Sequence, residues 1–334
     1  MTRDHAADGP SVRELAAGTY AWLWPQGGWG ETNCGLVLGK GEALLIDTPW
    51  DLRLAEQLLF EFAPLLAGRR LRLAVNTHSD GDHWWGNWAL PLATEIVTAE
   101  PVLAAMRKEP APVLLWALRG ASGVAGRLPG RLGSCSRYLR GVFGPFRFKE
   151  VVLRYPDTAF RGRWEVTVGG RPVELLELGA AHTACDLAVY LPDAQVVFAG
   201  DLLFGASTPV MWHGPIERWV KVLDGLLELP ASLYVPGHGA VLERPGVVQL
   251  RDYLSALGEL LEREPTLPAE EVARRLVGAG AAWRRWLYPE RATITAIAQR
   301  QQRRGGPPFS GPLGRLPGLC RAALAQARLE ASCR

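Results

Sequence analysis

Six residues, His78-Ser79-Asp80-Gly81-Asp82-His83, constrain this chain more than any other feature, because four of them are strong metal-ligand side chains. The apolar stretch 71–75 just before them reads as a strand, so the four lie on the loop where that strand ends. Alternation along such a loop turns His78 and Asp80 one way and Asp82 and His83 the other, towards two neighbouring ions. A solvated polar turn is the competing reading of the run taken alone.

Three further candidates each follow an apolar, strand-like segment. Segment 173–178 leads to Gly179-Ala180-Ala181-His182-Thr183, 195–198 to Ala199-Gly200-Asp201, and 233–235 to Pro236-Gly237-His238-Gly239. Of the six histidines, four (His78, His83, His182, His238) stand at these strand ends beside small residues. Imidazole and carboxylate donors suit zinc, iron or manganese, and glycine lets backbone come close without a steric cost. Taken singly, His182 or His238 reads as a hydrogen-bonded loop histidine; taken jointly, the set points to a binuclear site.

The order of these motifs resembles the metallo-β-lactamase superfamily, whose usual first motif is His-x-His-x-Asp-His. The resemblance runs from about 12 to 242 and includes Asn33-Cys34-Gly35-Leu36 and Leu44-Leu45-Ile46-Asp47-Thr48. It implies that His78, Asp80 and His182 hold a first metal, that Asp82, His83 and His238 hold a second, and that Asp201 bridges them. Asp47 is then expected to orient a ligand loop rather than touch metal. One position departs from the family pattern, since Asp80 stands where the second histidine is usual. Three carboxylates against two divalent ions leave one net positive charge, cancelled by a bridging hydroxide. The expectation is a less acidic bound water and a shift from zinc towards iron or manganese.

The implied activity is that of a binuclear metal-dependent hydrolase, in which a metal-bound hydroxide attacks an ester, thioester, lactone or amide. Asp82 is the candidate to orient the nucleophile and move a proton. The cofactors are two divalent ions, with zinc the first choice and iron or manganese the others. A diiron or manganese oxidoreductase (or oxygenase) of the same fold is the alternative, motivated by Asp80, and a non-catalytic metal-stabilised binding protein is the third reading.

Strand-like and helical segments alternate, which supports an α/β (α+β) fold, an αββα sandwich of two sheets covered by helices. The metallo-β-lactamase-like domain spans 12–242, with one helix over 52–66, an insertion of about 99–164 and another helix over 216–227. Within the insertion 99–118 looks helical, and the Gly-, Arg- and Ser-rich 120–144 reads as a mobile lid. A helical extension, 243–304, packs on this domain through helices over 246–264, 269–277 and 292–303. An Arg-rich tail, 305–334, follows, either a partner-binding helix or loosely attached. Of the tryptophans, Trp85 and Trp88 read as core, and Trp22, Trp24 and Trp29 as an apolar wall for a substrate.

The net charge of +3 hides an uneven layout, for 107–163 holds twelve Lys or Arg against three acids, and the chain beyond Gln299 holds seven Arg against one. A solvated face is one reading; a flap that draws a small anionic substrate to the metals is the other. There is no specific nucleic-acid signal. The start of the chain lacks the apolar core of a signal peptide, and no run approaches the roughly 20 apolar residues of a membrane span. Five scattered cysteines without a Cys-x-x-Cys spacing are expected to be reduced thiols in the cytoplasm.

Overall fold

The computed structural model describes residues 9–109, 111–279, 283–306, 309 and 311–332. Seven strands form the first sheet in chain order: β1 (Ser11–Ala16), β2 (Thr19–Leu23), β3 (Cys34–Leu38), β4 (Glu42–Ile46), β5 (Arg70–Val75), β6 (Glu95–Ala99) and β7 (Thr158–Phe160). The first four pair antiparallel and β4 to β7 pair parallel. Parallel pairing needs crossovers, and α1 (Leu52–Leu66) supplies the one between β4 and β5. Asp51 caps it by accepting from the Leu54 amide at 2.8 Å, and Leu54, Leu58 and Phe62 form its buried stripe.

The second sheet runs β12-β11-β10-β9-β8, from β8 (Arg163–Val168), β9 (Arg171–Gly179), β10 (Asp186–Leu191), β11 (Val196–Gly205) and β12 (Leu233–Gly239). Only its β11–β12 pair is parallel, crossed over by α5 (Ile216–Glu228). That helix buries Ile216, Trp219, Leu223, Leu226 and Leu227, each stabilising the fold by about 1.5–3 kcal/mol if fully removed from water. The sheets meet face to face, and a Cβ on Gly35 of β3 would lie 2.5 Å from the Phe198 ring of β11. With helices outside both sheets, this is the expected αββα sandwich, and both sheets end at the predicted ligand motifs.

Between β6 and β7 stand α2 (Glu100–Met106), α3 (Pro112–Ala125) and α4 (Gly130–Phe143); beyond β12 stand α6 (Arg244–Arg263), α7 (Ala269–Ala279), α8 (Arg291–Arg303) and α9 (Gly311–Ser332). Several readings need correction here. Segment 99–118 is not one helix, because prolines at 110 and 112 lack the amide that a continuous helix requires. The reputed lid at 120–144 is a helical hairpin tied down by buried Leu139, Val142 and Phe143. Cys135 of α4 is disulfide-bonded to Cys320 of α9 across 185 residues, so the expectation of reduced thiols fails for this pair; no local spacing announces it. Cys34 and Cys185 are free and buried. Trp88 is exposed, because the tight turn Trp85–Ala89 rotates it outwards, while Trp84 and Trp85 are buried. No described helix is long and apolar enough to cross a membrane. The chain start, Cys333 and Arg334 lie outside the described residues.

Candidate metal centre

All seven predicted ligands converge at one end of the sandwich. His78 and Asp80 follow β5, and Asp82 and His83 sit in the tight turn Gly81–His83. His182 lies in the bend between β9 and β10. Asp201 and His238 are not in loops beyond their strands, as the sequence suggested, but within β11 and β12. The apolar run continues through Leu202, Leu203 and Phe204, which keeps β11 buried, and Phe204 pairs with His238 in register. Between Phe198 and Phe204 the ladder is irregular, which aims Asp201 into the centre. Gly237 is required there, because a Cβ would lie 1.9 Å from Asp201 Oδ1.

Every imidazole is oriented from behind. His83 Nδ1 lies 2.8 Å from Asp47 Oδ2, His78 Nδ1 3.0 Å from Thr77 Oγ1, His182 Nδ1 2.6 Å from the Val210 carbonyl, and His238 Nδ1 2.9 Å from the Glu31 carbonyl. Their Nε2 atoms are thereby left for the cavity. Asp47, held at φ 60°, also accepts from the Thr77 amide and hydroxyl at 2.7 and 2.8 Å. It orients without being among the converging donors, the role expected of it. Two further supports escaped the sequence reading. Asp186 accepts from the amides of Ala181 and Thr183 and so fixes the His182 bend. Asn33 donates to the carbonyls of Pro236 and Gly239, tying β3 to the His238 strand.

Asp201 occupies the middle. Its Oδ1 is 3.2 Å from His83 Nε2, and its Oδ2 is 3.4 Å from His182 Nε2 and 3.3 Å from His238 Nε2. Asp80 Oδ2 approaches His182 Nε2 at 3.3 Å, and Asp82 Oδ2 approaches His238 Nε2 at 3.4 Å. In three sets (His78, His83 and Asp201; His78, Asp80 and His182; Asp82, His83 and His238) the donor atoms all lie within 4.8 Å of one another. His78 Nε2, His83 Nε2 and Asp201 Oδ1 are buried with no hydrogen-bond partner. Buried lone pairs facing one another at such spacing fit cations, either metal ions or protons shared between pairs such as His83 Nε2 and Asp201 Oδ1. Burial and the neighbouring His83 hold His78 down at about 3, so it stays neutral. Burial opposes charge on His238, yet Asp201 and Asp82 outweigh it and hold the imidazole at about 9. Without cations the cage therefore collects protons, which a metal ion would displace. Cys185 is not among the converging donors; burial pushes its thiol up to about 12.

The count of three carboxylates was incomplete. Arg315 of α9 reaches in from the far end of the chain, with Nη2 2.6 Å from Asp80 Oδ1 and 3.6 Å from Glu109, its guanidinium 4.6 Å from the Trp212 ring. Burial alone would raise the Asp80 carboxyl, but Arg315 and the adjacent histidines hold it well below the usual carboxylate range. Arg315 thus offsets the extra negative charge from which a preference for iron or manganese was expected. Nothing near residue 315 in the sequence announces this; only the packing of α9 shows it.

The cavity over the cage is walled by Trp29, Trp50, Phe143, Trp212 and Leu319, with Arg291 and Arg315 as its cations. Of the opening-hairpin tryptophans only Trp29 belongs to this wall; Trp22 is buried in the core and donates to Glu61. Arg127, Arg131 and Arg137 are absent from it. Arg127 and Arg137 line a separate surface groove with Arg119 and Arg140, and Arg137 donates to the Gly126 carbonyl. A basic flap at the metal mouth is thus not formed, because α4 and the turn before it carry these side chains away from the cavity.

A sequence profile of the Metallo-beta-lactamase superfamily matches residues 27–238. The chain is similar to a hydroxyacylglutathione hydrolase of Methylococcus capsulatus, 26% identical over 220 residues, which are 62% of this chain and 68% of the relative. It is also similar to a metallo-beta-lactamase type 2 of Bacteroides fragilis, 30% identical over 96 residues, 27% of this chain and 39% of that protein. A solved metallo-beta-lactamase from Pontibacter korlensis shares the fold, with TM-score 0.53, 19% identity, and 74% of this chain and 99% of that one covered. The sec-alkylsulfatase Pisa1 of Pseudomonas sp. aligns with TM-score 0.65 and 17% identity over 88% of this chain, which spans half of that protein.

Proposed function

Because this chain belongs to the metallo-beta-lactamase superfamily, we propose that it is a binuclear metallo-hydrolase cleaving an ester, thioester, lactone or amide of a small-molecule substrate. The observation that carries this reading is the inward-facing set of buried, unpartnered donors on His78, His83 and Asp201. In this reading His78, Asp80 and His182 hold one divalent ion, Asp82, His83 and His238 hold the other, and Asp201 serves both. Such ions supply Lewis acidity to a carbonyl and make water a stronger acid. Zinc is the first choice, since Arg315, shared between Asp80 and Glu109, offsets part of the charge on Asp80 that favoured iron or manganese, and with it part of the motive for a redox enzyme.

The protein's own groups supply orientation and proton movement. Asp82 lies at the cavity with Oδ2 3.3 Å from the Thr32 hydroxyl, a neighbour that fixes the carboxylate that would accept a proton. Aromatic walls at Trp29, Trp50 and Trp212 exclude water and seat an apolar group. A panel of a hydroxyacyl thioester, a nitrophenyl ester, a lactone and a β-lactam, assayed with zinc-reconstituted protein, tests the activity. Turnover of at least one, abolished in Asp82→Asn with metal content retained, supports the reading. Turnover equal in parent and Asp82→Asn would reject the role of Asp82, and none with any member would reject this substrate range.

A further inference from the structure

We propose that Arg291 is an anchor for an oxyanion carried by the substrate; this rests on the hydrolase reading for the word substrate, but its test is one of binding. Arg291 opens α8, outside the region matched by the superfamily profile, and its side chain is 1% exposed. It donates from Nη2 to the Gly27 carbonyl at 3.2 Å, and its guanidinium lies 4.5 Å from the Trp29 ring and 4.3 Å from the Tyr288 ring. Its Nε and Nη1 are buried with no hydrogen-bond partner. A guanidinium stripped of water, stacked on aromatics and left with free N–H groups is a costly arrangement that an anion relieves.

The place of this cation is functional. Arg291 lines the same cavity as Asp82, His182, Asp201 and His238. The backbone that it grips is packed on the metal side, because a Cβ on Gly27 would lie 2.8 Å from the amide of Gly239, next to His238. Arg315 stands in the same cavity, but its Nη2 is held by Asp80 and Glu109 and only its Nε is buried without a partner, whereas Arg291 has both Nε and Nη1 to give. Apolar walls on Leu115, Val142 and Phe143 complete the space. The ligand class is therefore a small amphipathic anion: a carboxylate, sulfonate or related oxyanion on an apolar body, with the labile bond reaching the cage.

Small amphipathic anions serve as probes. Phenylacetate, benzylsulfonate and neutral phenylacetamide are titrated calorimetrically into zinc-loaded parent, Arg291→Met and Arg291→Lys, with zinc content measured in each. The parent should prefer both anions over the amide, and Arg291→Met should weaken them by about tenfold or more, as expected for a charge-assisted hydrogen bond, with the amide unmoved. Binding of phenylacetate alone would assign the anchor to carboxylates, and of both anions to oxyanions at large. Undiminished anion preference in Arg291→Met, showing that the metals alone hold the anion, would overturn the proposal. If Arg291→Met does not fold, Arg291→Lys decides: it keeps the charge, and it must lose about threefold or more for the anions only; no loss, or equal loss for the amide, overturns it. Zinc missing from the parent itself would instead count against the binuclear reading.

Discussion

The two halves of the cage are built from similar donors but supported in different ways. On the His83 side, the backing carboxylate is Asp47, just past β4, held by Thr77, just past β5. Asp82 there meets the Thr32 hydroxyl and His238. On the His78 side, the extra carboxylate Asp80 is gripped by Arg315, which comes from α9, a helix linked to the insertion through Cys135–Cys320. One half is thus supported by the sandwich alone, the other by the sandwich, through Thr77 and Asp186, and by the C-terminal extension together. The unusual aspartate and the unusual arginine compensate each other, so neither is understood alone.

The largest expected effect falls on both halves together. Asp201→Ala removes the carboxylate that approaches His83, His182 and His238, and binding of both ions should weaken more than about a hundredfold, beyond what loss of an outer-shell partner costs. Competition with a calibrated chelator reads this, and loss at one site only would make the halves independent. Next, Asp80→His should lower stability by about 2 kcal/mol in urea unfolding, because Arg315 loses its short hydrogen bond and keeps the longer contact with Glu109. The double variant Asp80→His with Arg315→Met should regain most of it and prefer zinc more clearly than the parent. A single variant as stable as the parent would break the pairing on which the comparison rests. Asp47→Asn is expected to weaken the ion at His83, which it touches directly, by about 10- to 100-fold and the ion at His78, which it reaches only through Thr77, by less. Equal weakening of both would show that the sheet supports the whole cage. The smallest effect belongs to Arg127, Arg131 and Arg137, which do not line the cavity. Changing all three to Gln should leave the salt dependence of kcat/KM unmoved; a flattened dependence would restore steering by the insertion.

The contrast also separates what the sequence displays from what it hides. Ligands on short motifs after apolar strands are legible, because strand period, glycine and ligand chemistry coincide within a few residues at His78–His83, His182, Asp201 and His238. The sandwich follows from the same alternation. Hidden are the contacts that join distant segments. Arg315 meets Asp80 across 235 positions and Cys135 meets Cys320 across 185, and neither residue lies in a pattern of its own. The basic run of the insertion misled for a related reason: composition counts charges but not the helix faces that carry them. Trp88 repeats the lesson at small scale, since the tight turn that follows the ligand cluster, not apolarity, sets its exposure.

The central claim, two ions shared by seven side chains, is tested most directly by counting metal. Stripped protein is reloaded with zinc in the presence of a competing chelator, and bound metal is determined by mass spectrometry alongside a titration curve. Two zinc ions per chain, both weakened in Asp201→Ala, are predicted. A plateau at one ion, or two ions retained at parental affinity in Asp201→Ala, would contradict the claim.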